Sequence, residues 1–330
     1  MTATIDWRCP RCRGPLGPRA TVLACGGCSV EYPTFEGIPD LRVPGASWID
    51  HERDRDDARR LLDATAGFGA AQMARHVYGW GGGDEEWVET RTRQLVEGPQ
   101  RMSRELDGWL RDCTSTGPYL DLGCGYGQLL AAGALRGRPG VGVDVRLVWL
   151  LVAKRLIESV GGTPRLAAAM AEALPLADGA VRGVVSLDVV EHVGDVRAYL
   201  REIDRVTAGG GRIALATPNR YSLTAEPHVG IWGVGLVPRR WQKRYVRARR
   251  DRPYDFVELL SVREAQRLLG DETRMLTRVL VPPVPAEELA RFPPRRRAVA
   301  RLYNRLARAA PLAPLFHLVG PFFRIVGRAP

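Results

Sequence analysis

Short apolar runs alternate with amphipathic stretches across the middle of this chain. Residues 118–122, 140–145, 165–169, 181–187 and 211–217 are bursts of mostly apolar residues, each ending near glycine, proline or an acid. Near-continuous apolar runs of that length suit strands covered on both faces. Between them, 127–136, 146–160 and 195–206 place apolar residues every three or four positions, the spacing of a helix with one buried face. Strand and helix in strict alternation predict an α/β domain built on a doubly wound, mainly parallel sheet. A long polar insertion at 219–260 follows, then a helical pattern from Ser261 to Leu269 and an apolar run over 274–281. Phe322-Phe-Arg-Ile-Val-Gly327 is a last apolar run near the end.

Upstream, residues 50 to about 112 read as helices with charged faces, broken at Gly79-Trp-Gly-Gly-Gly83. Asp84-Glu-Glu opens the next helix with acids in its first turn, where the helix dipole favours them. Val88, Leu95, Met102, Leu106, Trp109 and Leu110 recur at helical spacing across Gly98-Pro99 and read as packing residues. Residues 1–45 show neither period, and the domains divide as 1–45, 46–115 and 116–330, with a helical excursion over 285–318.

The first strand of the alternating region runs into Asp121-Leu-Gly-Cys-Gly-Tyr-Gly127, with glycine at positions 123, 125 and 127. Such a loop turns tightly and lets a ligand approach the backbone. In an open α/β sheet it lies at the carboxyl edge, where ligands bind. The second strand ends on Asp144, placed to accept from both hydroxyls of a ribose. The loop is not the Gly-x-Gly-x-x-Gly of nicotinamide enzymes, and no Gly-x-x-x-x-Gly-Lys-Ser/Thr is present.

Taken together, these segments resemble the class I S-adenosylmethionine (SAM)-dependent methyltransferases, close to the methyltransferase type 11 and ubiquinone-biosynthesis groups. Asp121 to Gly127 is similar to their first motif, and Asp144 to the acid ending their second strand. Ala171-Glu-Ala-Leu-Pro-Leu-Ala-Asp178, Val184 to Val193 and Gly209 to Asn219 follow like their later motifs. The resemblance spans roughly 116–280 and implies a seven-stranded Rossmann-like sheet, with 322–327 as its antiparallel seventh strand. It also implies SAM as cofactor, held by Asp121, Gly123, Gly125, Gly127, Asp144, Ala171 and Asp188. Met170 departs from the pattern, because many relatives carry an adenine-binding aspartate there. Adenine is then expected on backbone near Ala171 and on apolar packing. The helices before the first strand are implied to cover the cofactor.

Cys9, Cys12, Cys25 and Cys28 follow the spacing C-x2-C-x12-C-x2-C. Two such tight turns joined by a hairpin suit a tetrahedral zinc site with four thiolates and no open position, hence a structural metal. Two disulfides would need an oxidising compartment. The stretch Glu31 to Leu41 resembles the end of small zinc ribbons fused to, or activating, methyltransferases. Cys113 and Cys124 have no partner pattern, and Cys124 reads as a small packing residue.

The chain has 330 residues, a formal net charge of +11 and 45% apolar residues, a composition that supports a real core. No apolar stretch is long enough to span a bilayer, and the start lacks the basic and apolar segments of a signal peptide, so a cytoplasmic location is expected. Arginine far outnumbers lysine, so the positive charge reads first as a proteome bias and second as a nucleic-acid signal.

Candidate chemistry gathers after the fourth and fifth strands. Asp188, Glu191 and His192 stand at i, i+3 and i+4, one face of a helical turn. The resemblance offers two readings: a histidine lining the cofactor pocket without metal, or Mg2+ held by all three, as in ubiquinone-biosynthesis relatives. Glu226 and His228 lie in a rigid loop of Pro, Gly and aromatics that reads as an acceptor lid over 219–260. His228 and His192 are the candidate bases. Residues 239–252 carry eight basic residues against Asp251, with Trp241 and Tyr245 expected as an inward stripe. This segment fits RNA, an anionic lipid surface or a plain solvated helix. The reading is a SAM-dependent methyltransferase with a zinc ribbon, acting on oxygen of a small-molecule or lipid-linked acceptor. An rRNA or tRNA methyltransferase is the alternative, and the oligomeric state is open.

Overall fold

The computed structural model describes residues 6–43, 49–110, 117–138, 140–250, 254–281, 283–284, 289–290, 293–307, 309 and 318–330, without the side chains of 104–110 and 296. At its centre is a seven-stranded sheet. β5 (Tyr119–Leu122) lies between β6 (Gly140–Asp144) and β8 (Val181–Leu187). β7 (Leu166–Ala168) follows β6 on one side and β9 (Thr207–Pro218) follows β8 on the other, all parallel. β13 (Phe322–Arg328) then pairs antiparallel with both β9 and β12 (Leu276–Leu280). The order β12-β13-β9-β8-β5-β6-β7 is the doubly wound, mainly parallel arrangement anticipated above, with the last strand slotted in antiparallel.

Successive strand residues feed opposite apolar layers, as the pleat requires. Tyr119, Leu166 and Val185 join one layer with α4 (Gln128–Leu135) and α5 (Leu147–Ser159). Leu120, Leu122, Val184 and Ala167 join the other with α6 (Val196–Val206) and α8 (Val262–Glu272). Three lead-in helices, α1 (His51–Ala64), α2 (Ala70–Trp80) and α3 (Glu85–Leu110), cover the first layer through Leu61, Met73 and Leu95. The break between α1 and α2 has no counterpart in the sequence reading. It is made at Gly67, whose φ of 79° ends the helical path.

α3 runs through Pro99 unbroken. A proline there removes the N–H that would serve the carbonyl four residues earlier. Gln128, the first residue of α4, supplies the missing donor, its Nε2 donating to Leu95 O at 3.1 Å and Gln94 O at 3.0 Å. Of the packing residues named on this helix, Val88 and Leu95 are buried and Met102 packs on the core. The side chains of Leu106, Trp109 and Leu110 lie outside the described residues, as does Cys113.

The N-terminal segment is a four-stranded antiparallel ribbon, β1 (Leu16–Arg19), β2 (Val22–Cys25), β3 (Glu31–Phe35) and β4 (Ile38–Pro39). Its two cysteine turns are built alike. Arg13 N–H donates to Cys9 O and Ser29 N–H to Cys25 O, and both Arg13 and Ser29 take positive φ. The ribbon does not hang free. Asp40 pairs with Ala168 in parallel sense, Leu41 N–H donates to Ala168 O at 2.7 Å, and Arg8 N–H to Pro175 O at 3.0 Å. Cys9, Tyr32 and Leu41 share an apolar layer with the sheet. The exposed edge of β7 is thereby covered, which removes a site for unwanted strand pairing.

The insertion after β9 holds a two-stranded hairpin, β10 (Ala225–Glu226) and β11 (Ile231–Trp232), and α7 (Arg239–Arg247) around a small core of Val229, Ile231, Val234, Val246 and Tyr254. The expected inward stripe of Trp241 and Tyr245 holds only for Tyr245, which packs half-buried against this core. The buried residues of α7 are Gln242 and Val246, while Trp241 is 55% exposed. Gln242 faces in because its amide donates to Val234 O and Val237 O, satisfying carbonyls that an indole could not serve so well. Within the excursion 285–318, α9 (Pro294–Ala307) is described, while 285–288, 291–292, 308 and 310–317 lie outside the described residues, as do Asp251 and Arg252. No helix among the described residues is long and apolar enough to cross a membrane.

Candidate cofactor and acceptor site

A cavity of about 430 Å³ opens at the carboxyl edge of β5, β6 and β8. Gly123, Gly125, Asp144, Ala171 and Asp188, all proposed from sequence as cofactor contacts, line it. Asp121 and Gly127 are outside the lining. Gly127 caps α4, and a Cβ there would fall 2.8 Å from Ala153 Cβ, so its role is close packing of helix on helix. Gly125 differs. Its φ is 50° and a Cβ would meet nothing within 4 Å, so its missing side chain leaves room in the cavity.

Asp144 is held before any ligand arrives. Gly125 N–H donates to its Oδ2 and Arg146 N–H to its Oδ1, both at 2.8 Å. Burial pushes the Asp144 carboxyl up to about 6, against the pull of those two N–H groups. Burial and the Asp144 charge push Asp121 up to about 8, which leaves it protonated at neutral pH. A carboxylate with its back fixed by two amides keeps lone pairs for two hydroxyls, as a ribose requires. Ala169, Met170 and Ala171 form an apolar wall of the cavity, which Trp149 also lines. The residues present thus fit SAM: an open-sided glycine loop, a fixed carboxylate and an apolar wall.

Another side of the cavity is built by the turn after β8. Asp188 takes a left-handed φ of 55°, and Val190–His192 form a single 3-10 turn. The i, i+3, i+4 face expected of a regular helical turn therefore does not form. Among the described residues, the groups whose ligand atoms lie within 4.8 Å of one another are the four cysteines and the trio Glu191, His192 and His228. Asp188 is absent from the trio, which corrects the Asp188, Glu191, His192 set expected for Mg2+. Two imidazoles and one carboxylate also suit a transition ion better than Mg2+, which prefers oxygen.

Glu191 is 1% exposed. Its Oε2 accepts from Thr217 Oγ1 at 2.9 Å, and its Oε1 has no hydrogen-bond partner but lies 4.0 Å from His228 Nε2. Burial, then the Asp188 charge, pushes the Glu191 carboxyl up to about 7. His192 lines the cavity, and its Nδ1 lies 2.9 Å from the Phe256 carbonyl. A carbonyl only accepts, so the neutral ring carries its proton on Nδ1 and its lone pair on Nε2. Burial holds the His192 pKa below the ordinary histidine value. His228 packs edge-on against His192 with centroids 4.8 Å apart, and its Nδ1 lies 2.5 Å from Glu226 Oε1. Burial alone would lower the His228 pKa, but Glu226 at its side, helped by Glu191 and Asp188, raises it. Glu226 itself is buried and also accepts from Val229 N–H at 2.9 Å, so it ties the loop and orients the ring together. Neither Glu226 nor His228 is a lining residue.

The insertion after β9 supplies lining residues that the sequence reading did not single out: Gln242, Tyr254 and Phe256. Trp149 was also missed. Its only sequence signal is a lone aromatic in an aliphatic helix, five positions past the acid that ends β6.

In the ribbon, Cys12 Sγ lies 3.4 Å from Cys25 Sγ and Cys9 Sγ lies 3.6 Å from Cys28 Sγ. These are not disulfides, and ligands at about 2.3 Å from a tetrahedral zinc stand at similar separations. N–H groups of Cys28 and Gly27 point at Cys25 Sγ and bring that thiol down to about 6. Tyr32 OH lies 3.2 Å from Cys9 Sγ. The four sulfurs fit a structural zinc.

Sheet order, glycine loop, fixed carboxylate and cavity are those of the Rossmann-like methyltransferase fold. Residues 120–215 match a family described as a methyltransferase domain. The ubiquinone biosynthesis O-methyltransferase of Cereibacter sphaeroides is 34% identical over 126 residues, 37% of this chain and 50% of that protein. An O-methyltransferase of Pyrenophora dematioidea is 31% identical over 160 residues, 47% of this chain and 55% of that protein. The chain thus spans about half the length of the curated relatives it matches. A SAM-dependent methyltransferase of Mesorhizobium loti superposes with a TM-score of 0.46 at 16% identity, covering 70% of this chain and 97% of that one.

Proposed function

We propose that the chain methylates an oxygen atom of a small-molecule or lipid-linked acceptor, with SAM as donor and His192 as general base. Asp144 would hold the ribose, the Gly123–Gly125 loop the methionine part and Ala169–Ala171 the adenine. Bound SAM supplies an activated sulfonium methyl group. The protein's task is then to align the acceptor and take its proton.

The observation that carries this reading is His192. It lines the same cavity as Asp144, is anchored through Nδ1 by a main-chain carbonyl, and is held neutral by burial. An acceptor hydroxyl entering beside it would pass its proton to Nε2. His228 is placed to stabilise that proton less directly. Its own pKa is raised and its ring is committed to Glu226, so we assign His228 and Glu226 to orienting the lid and balancing charge around Glu191. The curated relatives named above, O-methyltransferases by name, support oxygen as the acceptor atom.

The four cysteines would hold one zinc as a structural metal. Mg2+ is not part of this proposal, because the residue set expected to hold it does not assemble.

One observation favours RNA as a second reading. Along α7 the Arg240 guanidinium lies 4.9 Å from the Trp241 ring centre, and that of Arg249 lies 3.7 Å from Tyr245's. Trp241, exposed among arginines, suits a stacked base beside phosphates, and an anionic lipid headgroup would meet the same charges.

The test is transfer of labelled methyl from SAM to fractionated metabolites, lipid extracts and total RNA. Label in an organic-extractable, base-stable ether supports the proposal. Label confined to RNA, with binding that weakens steeply as salt rises, moves the assignment to the second reading.

A further inference from the structure

The ribbon ends in a strap, Asp40-Leu41-Arg42, that crosses from β4 to the carboxyl edge of the main sheet. Arg42 is the pivot of this strap, and its side chain is completely buried. Its Nε and Nη2 donate to the two oxygens of Asp40, both at 2.7 Å. Its Nη1 donates to Asp54 Oδ2 at 2.7 Å and to Val145 O at 2.9 Å. Asp54, on α1, is buried too. Its Oδ2 also accepts from Leu147 N–H at 2.8 Å, the first residue of α5, and its Oδ1 lies 3.0 Å from Arg146 Nε.

These contacts converge on one short turn, residues 144–147. That turn begins with Asp144, whose Oδ1 is held by Arg146 N–H. A path of hydrogen bonds joined by one peptide link therefore runs from the ribbon to the Asp144 carboxylate. It passes from Asp40 to Arg42, from Arg42 to Val145 and Asp54, and through the backbone of Arg146 to Asp144. Apolar packing would hold a ribbon on a sheet edge at less cost in desolvation. A buried guanidinium fork does something packing does not: it fixes individual main-chain atoms in direction.

We infer that Arg42 is a positioning residue for the cofactor site, and that through it the cysteine ribbon is a working part of that site. Arg42 touches no reacting group. It holds the turn that presents Asp144, so cofactor affinity and the folded state of the ribbon are coupled. This rests on the reading of Asp144 as the ribose contact.

The experiment uses the zinc-loaded full chain. Arg42→Lys keeps the charge but loses the planar fork that serves Asp40, Asp54 and Val145 at once. Calorimetry with S-adenosylhomocysteine should show Kd raised about tenfold, within the usual range of coupling between sites. Steady-state rates should show a raised KM for SAM with kcat and acceptor KM nearly kept. Hydrogen exchange at residues 145–147 should quicken, with zinc content unchanged. Asp54→Asn, which keeps an acceptor but removes the charge, should shift the same quantities the same way and serves if Arg42→Lys does not fold. Stripping zinc from the wild type should weaken S-adenosylhomocysteine binding, and do little more in Arg42→Lys, since effects acting through one link do not add. A folded Arg42→Lys protein with unchanged Kd and unchanged exchange in the turn would overturn the inference. If the wild type itself does not bind S-adenosylhomocysteine, the cofactor reading fails, while unchanged or quickened exchange in the turn still decides whether Arg42 holds it.

Discussion

Gly125 N–H donates to Asp144 Oδ2 at 2.8 Å, joining the loop after β5 to the tip of β6. Glycine at φ 50° keeps the loop tight and leaves no side chain beside that bond. Its consequence is a carboxylate already fixed when cofactor arrives, so little ordering remains to oppose binding.

Asp144→Ala should weaken S-adenosylhomocysteine binding by about 1–3 kcal/mol, the cost of leaving ribose hydroxyls and two amides unpaired. Gly125→Val should be worse. Its Cβ branch would stand in the open part of the cavity, on a backbone that β-branched residues avoid. Calorimetry on both variants decides this, and wild-type affinity in either would remove that residue from the cofactor site.

His192→Ala should lower kcat by about 10²–10⁴ while S-adenosylhomocysteine still binds, the usual contribution of a general base. His228→Ala should cost less and act chiefly on acceptor KM. Because the His192 pKa lies below its ordinary 6.5, kcat/KM should rise with pH through a value under 6.5 and level off by neutrality. A larger loss in the His228 variant than in the His192 variant would reverse these roles.

Metal-free apo protein should lose stability as pH rises from about 4 to about 6. Asp121 is raised from 3.8 to about 8, Asp144 from 3.8 to about 6 and Glu191 from 4.5 to about 7. Over that window the folded chain keeps protons that the unfolded chain releases, so stability present below the unfolded values is lost on passing the folded ones. His228, also raised, acts in the same sense above 6.5, while His192, lowered, opposes it below 6.5. Carboxyls with lowered pKa, such as Glu264 at about 2, are ionised in both states over the upper part of the window, and the Cys25 thiol, lowered from 9.0 to about 6, acts in the opposite sense only above it. Thermal melts at stepped pH should show the fall, and Asp121→Asn should flatten it. A Tm that climbs from pH 5 to 6 would contradict the account.

One zinc per chain is expected by metal analysis, and Cys25→Ser should release it and loosen residues 6–43. Intact disulfides and no zinc would discard the ribbon metal.

Features set by neighbouring residues were legible in the sequence. The apolar bursts marked the parallel strands to within a residue or two, because burial on both faces leaves no polar alternation. β9 alone ran well past its predicted start, since Gly209–Gly211 continue the strand through a register shift between Val181 and Gly183. The glycine loop, Asp144 and the paired cysteines were readable from spacing, since each depends on a turn closed within a few residues.

What spacing does not encode is which distant groups meet. Trp241 was assigned inward by helical period, but that period fixes only relative faces, and the carbonyls of Val234 and Val237 selected Gln242 instead. The trio after β8 was expected with Asp188. A left-handed backbone at Asp188 and a loop that returns His228 beside Glu191 replaced it. Arg42 passed unnoticed as one arginine among many, since its meaning lies in Val145, 103 positions away. The sequence by itself determined the class of fold and the cofactor loop, through local pattern. Tertiary structure alone decided the grouping of Glu191, His192 and His228 and the hold of the ribbon on the turn at 144–147, because buried polar groups take whichever partners the packed chain brings within reach.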